Sequence, residues 1–119
     1  MELHHVAIRV KQLETSVDFY ETIAQLSAFK RLKTDDGELA FLQNKDGETA
    51  LELICISQGD TVQAKGLFLC FATNDIEKAH KRATENNFNP SPIITPEPDA
   101  TYFYVYDPDG VSVQIREYI

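Results

Sequence analysis

Alternating and helically spaced apolar positions divide the chain into a succession of elements that occurs twice. From Leu3 to Val10 the alternation puts Val6, Ile8 and Val10 on one face of a strand and His5, Ala7 and Arg9 on the other. Leu13, Val17, Tyr20 and Ile23 then recur at three- and four-residue spacing, which predicts a helix over Leu13 to Leu26. Three strand-like runs follow, Ala28 to Leu32, Leu39 to Gln43 and Thr49 to Ser57, separated by Asp-Gly turns at Asp36-Gly37 and Asp46-Gly47. In the longest run Leu51, Leu53 and Cys55 alternate against Ala50, Glu52, Ile54 and Ile56. Gln58 to Lys65 is polar, has no apolar period and reads as a linker.

The order then restarts. Gly66 to Thr73 is a strand with Leu67, Leu69 and Phe71 opposing Phe68, Cys70 and Ala72. Asn74 or Asp75 caps a helix that runs to about Asn86, with Ile76, Ala79 and Ala83 as a narrow apolar stripe. Pro90-Ser91-Pro92 and Pro96 to Pro98 bracket a short edge strand around Ile93. The stretch from Tyr102 to Ile119 is a hairpin about Asp107-Pro108-Asp109-Gly110, in which Pro108 fixes φ and Gly110 supplies a positive one. Phe103 and Val105 there oppose Tyr102, Tyr104 and Tyr106, and Val111, Val113 and Ile115 oppose Ser112, Gln114 and Arg116.

Strand, helix and three strands, twice over, predict one α+β domain over residues 1–119, with modules at about 1–57 and 66–119 and the linker at about 58–65. The helices pack on one side of a mixed sheet, and the opposite face gathers the polar positions His5, Arg9, Glu52, Ser112, Gln114 and Arg116.

Composition narrows the function classes. A net charge of −8 with no basic stretch argues against nucleic-acid or anionic-membrane partners. No apolar run is long enough to span a bilayer, and no signal pattern opens the chain. Cys55 and Cys70 lie in apolar runs without CxxC spacing and are expected as buried free thiols, which places the protein in a reducing, cytoplasmic compartment.

Four segments carry a family resemblance. They are His-Val-Ala-Ile-Arg-Val from His5, Ser-Val-Asp-Phe-Tyr from Ser16, Glu52 within Ala-Leu-Glu-Leu-Ile, and Asp-Pro-Asp-Gly-Val-Ser-Val-Gln-Ile from Asp107. Together they resemble the vicinal-oxygen-chelate superfamily, which contains glyoxalase I, extradiol dioxygenases, fosfomycin-resistance proteins and bleomycin-resistance proteins. The resemblance covers both halves of the chain. It implies paired βαβββ modules forming a U-shaped sheet with helices outside, a homodimer, and a cleft that binds a small molecule, usually through one divalent metal.

In such families the ligands sit on the first and fourth strands of each half. His5 and Glu52 match in the first half, whereas the second offers Phe68 and Gln114. The resemblance therefore implies that His5, Glu52 and Gln114 hold one zinc, nickel, manganese or iron ion with positions left for a chelating substrate. Glu52 would be the catalytic carboxylate of a lyase, isomerase or dioxygenase. Authentic lactoylglutathione lyase activity is not expected, because Glu52 alone would have to bind and act as base.

Phe68 cannot bind a metal. It supports the alternative, a metal-free protein that sequesters an aromatic or antibiotic-like ligand against Phe68, Tyr102 and Tyr104, with Arg9 and Arg116 for an anionic group. A third possibility is a degenerate domain kept for interaction alone. Without metal, the carboxylate of Glu52 should pair with His5 or Arg9. His4, out of phase with the polar face, is expected to be structural or at the surface, and His80 to be solvated on the second helix.

Overall fold

The computed structural model describes residues 1–118 and divides into two compact units, Met1–Gln63 and the chain from Ala64 onward. The first unit runs β1 (His5–Arg9), α1 (Leu13–Ile23), β2 (Ser27–Thr34), β3 (Gly37–Gln43) and β4 (Ala50–Ile56). The second runs β5 (Phe68–Thr73), α2 (Ile76–Glu85), β6 (Ile94–Glu97), β7 (Ala100–Tyr106) and β8 (Ser112–Glu117). Each has one four-stranded mixed sheet, ordered β1-β4-β3-β2 and β5-β8-β7-β6. In both, the first strand lies parallel to the last and the remaining pairs are antiparallel.

The apolar faces form as the alternation dictates. In the first unit α1 packs on β3 and β4, and Val17, Tyr20, Ile23, Leu42 and Leu53 are almost fully buried. Each such side chain contributes roughly 1.5–3 kcal/mol relative to leaving it in water. In the second unit Ile76, Ala79 and Ala83 of α2 are buried, as are Phe103, Val105, Val113 and Ile115 of the two strands beneath it.

The helix ends show why the elements stop where they do. α1 ends three residues before the expected Leu26, because Gln25 turns to a φ of 55° and the N–H of Leu26 returns to the Tyr20 carbonyl. Asp75 caps α2 by accepting the Lys78 N–H at 3.1 Å. At its other end Asn87 has φ 60°, and the N–H groups of Asn87 and Phe88 return to the carbonyls of Thr84 and Ala83. These are the two hydrogen bonds of a Schellman motif, with asparagine in the left-handed position. The edge strand β6 includes Pro96 beside a break in pairing register, a place where a missing N–H costs no ladder bond.

The polar run after β4 does not hang loose. Ser57 donates to the Asp36 carbonyl and Val62 to the Arg9 carbonyl, both at 2.8 Å. Cys55 is half-buried and Cys70 exposed, so of the two thiols expected to be buried one lies open at the edge strand β5. No helix among the described residues is long and apolar enough to cross a membrane.

Candidate functional site

Sheet register fixes which side chains share the face opposite each helix. Across the first unit, Ala7, Glu52, Phe41 and Lys30 stand in one row, and Arg9, Ile54, Leu39 and Leu32 in the next. Glu52 is on the central strand, its side chain only 12% exposed, and its Oε1 lies 3.5 Å from Nε2 of His5. The carboxylate therefore turns to His5 rather than Arg9. The Arg9 guanidinium instead lies over Gly59, whose φ of 97° and missing side chain make room for it.

His4 belongs to this group. Its Nδ1 is 2.7 Å from Nδ1 of His5, so one of the two nitrogens carries the shared proton. His4 is at the surface, as expected, and reaches His5 because it precedes β1 and is not bound by the strand's alternation. The rings of His5 and Phe41 also meet edge to face, with centroids 5.4 Å apart.

A cavity of about 790 Å³ opens beside this cluster, lined in part by His4, Phe29, Lys30, Phe41 and Gln43. Lys30, Phe29 and Phe41 had not been singled out in the sequence. A bulge between Ala28 and Lys30 breaks the period of β2, and one extra residue exchanges the two faces of a strand.

The open face of the second unit is built in three rows. Phe68, Ser112 and Tyr106 form the first, Cys70, Gln114 and Tyr104 the second, and Ala72, Arg116 and Tyr102 the third. Gln114, on the central strand, is 6% exposed and donates from Nε2 to the Tyr104 hydroxyl at 2.9 Å. Tyr104 in turn meets Phe68 edge to face at 5.7 Å and Tyr102 at 5.6 Å. Arg116 is held by the carbonyls of Asp99 and Glu117. Partial burial pushes the Cys70 thiol up, opposed by Arg116, so it stays protonated near neutrality and is a slow nucleophile.

A cavity of about 570 Å³ lies over the first of these rows, walled by Phe68, Tyr104, Tyr106 and the segment Asn89 to Ser91. That segment is pinned: Ser91 Oγ accepts the Tyr104 N–H at 2.8 Å, and the Ser91 carbonyl is 2.9 Å from His80 Nε2. His80 also packs edge to face on Phe103 at 4.9 Å, which corrects the expectation of a solvated ring. The signal was present, since His80 falls four residues after Ile76 and three before Ala83, on the buried stripe. Phe68 and Tyr104 thus line the cavity, Gln114 lies behind them and Tyr102 beside them, and Arg116 is turned to the loop carbonyl of Asp99.

The donor set fits a metal in part. Two ligand atoms about 2.1 Å from one tetrahedral ion stand about 3.4 Å apart, close to the 3.5 Å between His5 Nε2 and Glu52 Oε1. Among the described residues no three His, Cys, Asp or Glu side chains gather as a cation site. A third protein ligand would have to be of another type.

Comparison with known proteins places this geometry. Residues 2–115 match the family model described as the Glyoxalase/Bleomycin resistance protein/Dioxygenase superfamily. The chain is 32% identical over 118 residues to the uncharacterized protein YwbC of Bacillus subtilis (strain 168), covering 94% of each. Its fold is similar to that of TnmS3, an antibiotic binding protein from Streptomyces sp. CB03234, with a TM-score of 0.80 at 18% identity over 100% of this chain and 97% of that one. It is also similar to an E126Q mutant of the fosfomycin resistance protein FosX from Listeria monocytogenes, complexed with Mn(II) and 1S,2S-dihydroxypropylphosphonic acid. There the TM-score is 0.81 at 14% identity, over 99% of this chain and 92% of that one.

Proposed function

Because the chain belongs to the Glyoxalase/Bleomycin resistance protein/Dioxygenase superfamily, we propose that it is a small-molecule binding protein whose second-unit cavity takes a ligand with a flat aromatic part. The observation that carries this reading is the pair Phe68 and Tyr104, whose rings stand at 86° in the cavity wall. Aromatic groups pack on such rings edge to face or offset face to face. Phe68 is 47% exposed, and covering it would remove apolar surface from water. The hydroxyls of Tyr104 and Ser112 supply polar contacts on the same wall. Among structures of similar fold, TnmS3 is an antibiotic binding protein.

The test is a calorimetric titration of polycyclic aromatic compounds and aromatic antibiotics into the protein. At least one should bind, and Phe68→Ala should weaken it about tenfold or more, equivalent to ~1.4 kcal/mol. Equal affinity in the variant would sink the assignment.

A second reading is favoured by one distance, the 3.5 Å between His5 and Glu52. These two residues would hold a divalent ion, and the ion would supply Lewis-acid chemistry for a lyase, isomerase or dioxygenase acting on a chelating substrate. The contact with His4 would fix the tautomer of His5, as partners of ligating histidines do. Elemental mass spectrometry of untagged protein prepared without chelators decides it. Near one equivalent of zinc, nickel, manganese or iron, lost in Glu52→Ala, supports the metal; none bound, and no thermal shift on adding these ions, ends this reading. The protein is further read as a homodimer.

A further inference from the structure

We propose that the open face of the first unit carries a ligand site taking a planar aryl monocarboxylate of one or two rings. The cavity of about 790 Å³ there is of the size that binds small molecules. Its aromatic walls are Phe29 and Phe41, with centroids 6.1 Å apart and planes inclined at 48°, which makes a wedge open to a flat group. Phe29 is 51% exposed, an apolar ring left in water by the bulge that carries it.

Lys30 sets the charge of the occupant. Its Nζ stands 5.9 Å from the centre of the Phe41 ring and, among the described residues, pairs with no carboxylate. This holds although Glu2 and Glu48 line the same cavity, Glu48 being paired to Lys45 at 3.8 Å. The other polar groups are used within the chain: Thr49 donates to the Leu3 carbonyl at 2.7 Å and Gln43 to Asp46 at 3.2 Å. An ammonium at an aromatic wall, without a counter-charge, is complemented by a carboxylate whose ring enters the wedge. The two acidic residues at the rim would repel a second negative charge, hence a monocarboxylate.

The site lies wholly in the first unit and does not depend on the reading of the second-unit cavity. Its test is a titration of the full chain with 2-naphthoate, with the neutral 2-naphthamide and with 2-naphthylmethylammonium, followed by backbone amide shifts. We expect 2-naphthoate to move the amides of residues 29, 30 and 41 and to bind at least tenfold tighter than 2-naphthamide. In Lys30→Met, which keeps an apolar stem over Phe41, that preference should vanish. The wild-type preference stands as a measurement even if the variant fails to fold. Equal binding of acid and amide, tighter binding of the ammonium, shifts confined to the second unit, or a preference that survives Lys30→Met would each overturn the proposal.

Discussion

The carboxylate of Asp107 receives the N–H groups of Asp109 at 2.8 Å and Val111 at 2.9 Å, while its own N–H reaches the Val111 carbonyl. With Gly110 at φ 85°, these bonds close the turn between β7 and β8, and Asp107 is only 5% exposed. Alanine there would strand the N–H of Val111, itself 1% exposed, and a buried donor without a partner costs ~1–3 kcal/mol. Urea unfolding of Asp107→Ala should show a loss of about 2 kcal/mol, with Asp107→Asn, which retains an acceptor oxygen, losing less. The same turn sets the register that brings Gln114 opposite Tyr104. A slip of one residue would turn Gln114 away and bring a valine or isoleucine to the open face. Individual residues were the least legible part of the site. His4 and His5 meet through ring nitrogens, a side-chain torsion that no periodicity encodes. His80 is legible from its spacing, because its place on the stripe outweighs the polarity of its ring.

Elements were far more legible, because their signals are local. Alternation, helical spacing and the bracketing prolines locate the strands and both helices, and the Asp-Gly and Asp-Pro-Asp-Gly turns fall between strands as expected. The differences are one to three residues at ends: Gln25 reverses α1 before Leu26, and β6 begins at Ile94 rather than around Ile93. Residues on β1, β4, β5, β7 and β8 were assigned to their faces correctly, since those strands keep the two-residue period. The faces of β2 were not legible, for a physical reason. Its bulge is defined by the register against β3, so the grouping of Phe29, Lys30 and Phe41 emerges only once the strands are paired.

At the scale of the molecule, both sheets end in strands with an open side, β1 and β2 in one and β5 and β6 in the other. Such edges invite pairing with a second chain, which is the physical support for the proposed homodimer. β2 is exposed along nearly its whole length, including Leu32 at 45%. Sedimentation equilibrium at micromolar concentration should give twice the 13.5 kDa of one chain; a single-chain mass across that range would remove the homodimer. The sheet order has a different consequence during synthesis. In each unit the strand made last, β4 or β8, is not added at an edge but lies between the first strand and the third. A nascent unit therefore has a helix and an antiparallel pair while its first strand waits without a neighbour, until some forty-five residues later the central strand leaves the ribosome and joins both sides. A chain halted before Ser112 would lack the middle of the second sheet rather than its margin, and β5 would be left with nothing to pair against.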